Sequence, residues 1–101
     1  MYVKLFPKNM IVGGFKYSMG KNIYPKIFNS SQYNIPNEIH FNSVENMMKI
    51  RSFINFEPII GFIHVDKEIP VVKMDNFFKS PEVYIYKLLD FNRFFSKYER
   101  I

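Results

Sequence analysis

The chain contains no Ala, Thr, Trp or Cys, yet 19% of its residues are Phe or Tyr. A core built from this alphabet has to be assembled from rings, Ile and Met, because the usual small fillers are missing. The absences have no folding rationale, since Ala is the best helix former and Thr a good strand former. Pressure toward A/T-rich codons explains them better, and Lys accordingly outnumbers Arg by 11 to 3. Organelle genomes, phages, viruses and very A/T-rich bacteria or protists are the sources such usage points to. The lack of Cys excludes disulfides and thiolate metal sites.

Charge is distributed on one side of the sequence. The first acidic residue is Glu38, preceded by Lys4, Lys8, Lys16, Lys21 and Lys26, so the formal charge of +5 belongs to residues 1–37. The remainder, 38–101, is balanced. A chain of 101 residues is expected to form one domain over 1–101, with a basic acid-free segment followed by a charge-balanced one. The basic segment is threaded with Tyr2, Phe6, Phe15, Tyr17, Tyr24, Phe28 and Tyr33. Lysines among rings suit looped or single-stranded RNA, where ammonium groups meet phosphate and bases stack on aromatic faces. The plainer alternative is an ordinary sheet with ring cores and solvated lysines, which leaves the missing acids unexplained.

Patterning predicts an α+β domain: a small antiparallel sheet of short strands and hairpins, with helices over about 43–54 and 81–99 on one face. Tyr2–Phe6 reads as a strand. Met10–Tyr17 and Ile23–Phe28 read as two more around a turn at Ser18-Met19-Gly20-Lys21, with Pro25 confining the second to an edge. Residues 29–37 read as a loop. Asn42 with Glu45 resembles a capping box for the first helix, which Asn55 and Pro58 would end. Ile59–Val65 and Ile69–Met74 form a candidate hairpin about Asp66-Lys67-Glu68. Ser80-Pro81-Glu82 has the chemistry of a helix start, and Tyr84, Leu88, Phe91, Phe95 and Tyr98 then fall on one stripe. Without those caps, Val83–Leu89 would read as a strand.

No motif specifies a reaction. Gly20-Lys21 is followed by Asn22 instead of the Ser or Thr that opens a phosphate-binding helix, and Gly13-Gly14 reads as a strand bulge. His40 and His64 sit in alternating runs and read as exposed strand residues; beside Asp66 or Glu68 they would make a thin metal or base site. No catalytic, metal or cofactor residue is assigned, and no enzyme is expected. No apolar run is long enough to span a bilayer, and the N-terminus matches neither a secretory signal nor a transit peptide. Arg93, Lys97 and Arg100 recur at helical spacing, extended by Lys87, as a ridge suited to phosphates or as a solvated helix face.

The order of Arg51-Ser52-Phe53-Ile54, Ile60-Gly61, Val65, Ile69-Pro70-Val71 and Asp75-Asn76-Phe77-Phe78 resembles landmarks of the small-subunit ribosomal protein family S nineteen over a minor part of the chain. The family's Asn-Gly-Lys turn and Gly-rich basic tail are replaced by Asp66-Lys67-Glu68 and Ser80-Pro81-Glu82, so no residue role is carried across.

The expected function is a non-enzymatic, RNA-contacting component of a larger ribonucleoprotein, foremost an organelle-encoded ribosomal protein of the mitochondrion or another organelle matrix. Lys4, Lys8, Lys16, Lys21, Lys26, Arg93, Lys97 and Arg100 would meet RNA phosphates, Tyr17 or Tyr24 would stack on a base, and the balanced segment would pack on neighbouring proteins. Two alternatives stand beside it. One is a phage or virus protein that blocks a host factor in the host cytoplasm through Tyr2, Tyr33 and Tyr86. The other is an accessory subunit of an organellar respiratory complex.

Overall fold

Tyr2–Phe6 and Ile59–His64 carry apolar side chains on both sides of an extended backbone, and such strands need a neighbour on each edge and a layer on each face. The computed structural model describes residues 1–31, 38–49 and 58–98 and gives both segments that setting. In chain order the elements are β1 (Tyr2–Phe6), β2 (Ile11–Val12), β3 (Phe15–Lys16), β4 (Gly20–Ile23), β5 (His40–Ser43), α1 (Val44–Lys49), β6 (Ile59–His64), β7 (Val72–Lys73), β8 (Phe78–Lys79), β9 (Glu82–Asp90) and α2 (Phe91–Tyr98). Seven strands form one sheet in the order β4-β9-β6-β1-β5-β8-β7, and β2 and β3 form a separate hairpin. All these pairings are antiparallel. The domain is thus a mostly antiparallel sheet with two short helices.

Alternation along the central strands sends successive side chains to opposite faces. Val3, Ile60 and Phe62 face the helices and pack with Met47 of α1 and with Phe94 and Phe95 of α2. Phe6, Phe41, Ile63, Val83 and Ile85 face the other way, under Met10 and Tyr17 from the hairpin region. Ring packing is close at the centre: a Cβ on Gly61 would lie 2.5 Å from Cε2 of the fully buried Phe6. Overpacking of this kind makes Gly61 a packing requirement of β6.

Several expectations are corrected. Gly13 and Gly14 both have positive φ, 58° and 79°, and join β2 to β3 as a two-residue turn of the primed type; they are not a bulge within one strand. Gly20 takes the left-handed φ expected of it, at 92°, but opens β4, which pairs with β9 instead of with the preceding strand. β4 is one edge of the sheet, and Pro25 lies beyond its end. The first helix is capped by Ser43, whose Oγ accepts from the Asn46 amide at 3.2 Å, while Asn42 belongs to β5. Its continuation to 54 and its proposed stop at Asn55 lie outside the described residues, as do loop residues 32–37.

The hairpin expected between Ile59–Val65 and Ile69–Met74 does not form. A turn closes at 66–69, with the Ile69 amide bonded to Asp66 O at 2.9 Å, but β6 pairs with β1 and β9 while β7 pairs with β8. A six-residue strand buried on both faces is not satisfied by the two-residue β7. The largest departure is at 82–90, a nine-residue strand where a helix was expected. Ser80 Oγ donates to Glu82 O at 3.2 Å instead of accepting a helical amide. Val83, Tyr84, Ile85 and Tyr86 favour a pleated surface, and β4 and β6 flank it. The true cap is Asp90, whose Oδ1 accepts from the Arg93 amide at 2.9 Å, so the helix starts at Phe91.

Candidate nucleic-acid interface

Cations of this chain fall into two environments. Lys4 and Lys79 are consumed by the fold. The Lys4 ammonium donates to His40 O at 2.6 Å and lies 5.5 Å from the Tyr17 ring centroid and 5.9 Å from that of Phe6. Burial lowers its pKa to about 8 and pushes the neighbouring Tyr17 phenol up to about 12. Lys79 and Glu38 form an ion pair at 3.0 Å with both side chains fully buried. The other Glu38 oxygen accepts from the Asn29 amide at 3.1 Å, fastening the segment after β4 to the core. His40 is not the exposed residue expected. It is half-buried, its imidazole is held below the usual pKa by burial and then by Lys4 and Lys79, with Glu38 opposing, and β1 separates it from His64.

On the far side of β9 the cations meet solvent and rings. In register, Lys21 of β4 stands opposite Tyr84 of β9, which stands opposite His64 of β6. The Lys21 ammonium lies 5.7 Å from the Tyr84 ring centroid. The next row is irregular. The β6–β9 register shifts between Phe62 and Ile63, so that Ile63 faces Ile85 and Phe62 faces Lys87, leaving Tyr86 as the extra residue. This bulge brings both side chains to Phe62: the Tyr86 ring lies 6.1 Å from the Phe62 ring, and the Lys87 ammonium 5.5 Å from its centroid. A depression of about 630 Å³ opens there, lined in part by Met1, His64, Tyr84 and Tyr86. Beyond Lys87, a groove of about 510 Å³ runs between β9 and α2, lined by Lys87, Leu89, Asn92, Arg93, Ser96 and Lys97. The amphipathicity of α2 creates it, since Phe94 and Phe95 are buried while Asn92, Arg93, Ser96 and Lys97 are exposed.

The predicted contact residues therefore divide. Lys21, Arg93 and Lys97 line this one surface, with Lys87 reaching it from a strand instead of from the predicted helix. Lys8 and Lys16 are exposed on the hairpin side, where Lys16 donates to Asn9 O, and Lys26 is exposed after β4. Among the described residues, none of Lys8, Lys16, Lys21 and Lys26 has a carboxylate partner. Lys4 and Tyr17 are buried, and Tyr24 is half-buried against the core. Arg100 and Tyr33 lie outside the described residues. Sequence reasoning missed Tyr84, half-buried beside the exposed Tyr86, as a strand residue of this surface, because it placed 81–99 in a helix. The signal that would have found it is the alternation Val83-Tyr84-Ile85-Tyr86.

Among the described residues, no helix is long and apolar enough to cross a membrane. Compared with protein-family models, with curated proteins and with solved structures, the chain matches none.

Proposed function

We propose that the protein is a non-enzymatic, RNA-contacting component of a larger ribonucleoprotein, foremost an organelle-encoded ribosomal protein, as its A/T-biased composition favours. The observation that carries this reading is the groove between β9 and α2. Lys87, Arg93 and Lys97, contributed by a strand and a helix, converge there next to the exposed Tyr86 and the half-buried Tyr84. A basic groove beside aromatic faces fits a polynucleotide backbone with accessible bases. Asp90, the nearby acid, has its carboxylate engaged by the first turn of α2. Lys8, Lys16 and Lys26 would add weaker, diffuse attraction from the other side.

Packing against neighbouring proteins is supported at the β4 edge. Met19, Ile23 and Ile27 are 52%, 55% and 96% exposed around that edge strand, an arrangement isolated monomers avoid.

The test is binding of a single-stranded RNA oligomer to the purified chain across a salt series. Three phosphate contacts predict a log–log slope near −2, at about −0.7 per phosphate. No binding at low salt would remove the RNA reading and favour a purely protein-docking role.

A further inference from the structure

We infer that the depression between β6 and β9 is a subsite for unpaired bases, so that the protein selects single-stranded RNA over duplex; this rests on the RNA-contacting function proposed above. The basic groove alone would accept any polyphosphate. What sits beside it is different in kind. Tyr86 is 53% exposed, with its ring backed by the buried Phe62, so a stacking face is held in place instead of waving in solvent. Tyr84 is half-buried and has the Lys21 ammonium over its ring, 5.7 Å from the centroid, so a cation stands on a second ring beside Tyr86. His64, opposite Tyr84 in register, is exposed and steadied by Asp66 at 3.2 Å.

The bulge gives the site its polarity. In a regular strand Tyr86 and Lys87 would point to opposite faces. The extra residue turns both toward Phe62, so an aromatic face and a phosphate-seeking ammonium become adjacent at the mouth of the groove. Alternate residues of a strand are spaced by about 6.8 Å, roughly twice the 3.4 Å repeat of a stacked nucleic-acid strand. Successive bases can therefore meet Tyr84 and Tyr86 only when unstacked from each other, which a duplex does not allow. The charge complement is local: Lys21 at one end and Lys87, Arg93 and Lys97 at the other bracket the rings.

The experiment measures anisotropy of three labelled ligands with the full chain at low salt: a single-stranded RNA, its duplex, and an abasic strand of equal length. The native chain should bind the single strand at least about ten-fold more tightly than the other two, and Tyr84→Leu and Tyr86→Leu should each lower that affinity by about 5- to 100-fold. Both variants should leave duplex and abasic binding unchanged, and Tyr86→Phe should retain single-strand affinity because the ring remains. Equal affinity for all three ligands, or leucine variants that bind the single strand as the native chain does, would overturn the base subsite while leaving RNA contact through the groove intact. Failure to bind any of the three would remove the function itself and the subsite with it.

Discussion

The two sides of β9 use the same kinds of residue for opposite purposes. In the interior, Lys4 and Lys79 are sealed beneath rings and joined to a carbonyl or a carboxylate of the same chain. Toward α2 and the open end of the sheet, Lys21, Lys87 and Arg93 stand in solvent over or beside rings. A lysine near a tyrosine is therefore not a single signal. What separates the cases is whether an element covers the pair. The hairpin and the segment running to Asn29 close over their cations, whereas among the described residues Tyr86 stays exposed and Tyr84 half-buried. The acid-free segment is accordingly no single basic footprint: one of its five lysines is structural and the others are spread over different surfaces.

The strongest break in this comparison is expected from Lys79→Met. It leaves the Glu38 carboxylate buried without its cation, and removal of one partner of such a pair costs about 3–5 kcal/mol. Chemical denaturation should show a large fall in midpoint. A change under about 0.5 kcal/mol would mean that the closed face does not depend on its internal ion pair.

A smaller effect, up to about 2–3 kcal/mol, is expected from pH. Lys4 has a folded-state pKa of about 8 against an ordinary 10.5, so between these values the unfolded chain binds more protons and stability rises with pH. Tyr17 is raised to about 12 from 10.0, so above pH 10 the folded state retains a proton that the unfolded chain loses, and stability falls. The pair predicts a maximum near pH 10. Lys4→Met should flatten the rising limb and Tyr17→Phe the falling one, read as differences from the native chain. Unchanged limbs would mean that neither group is desolvated.

The parts of this fold legible in the sequence are those governed by neighbours in the chain. Tyr2–Phe6 alternates and is a strand, and Gly20 takes a left-handed conformation. The parts that were not legible depend on distant partners. Ser80-Pro81-Glu82 has every local mark of a helix start, yet the segment it opens is held between β4, near the N-terminus, and β6. Ile59–His64 was recognisable as a strand, but its neighbours were not, because only the assembled sheet shows that both its faces are buried. The site shares this division. Arg93 and Lys97 were legible as a helical pair, whereas the platform of Tyr84 and Tyr86 depends on a bulge that requires knowledge of strand pairing. Lys4 was misread for the opposite reason, since nothing local announces that Tyr17 will fold over it.

The central claim is that the open side of β9, and not the hairpin lysines, holds RNA. It is tested most directly by the salt dependence of single-stranded RNA affinity in two charge-reversed chains, Lys87→Glu with Arg93→Glu and Lys8→Glu with Lys16→Glu. The first pair should weaken binding and make the log–log slope shallower by about 1.4, the loss of two phosphate contacts. The second should leave the slope near its native value. The reverse pattern, with the hairpin pair removing the slope and the groove pair leaving it unchanged, would contradict the account.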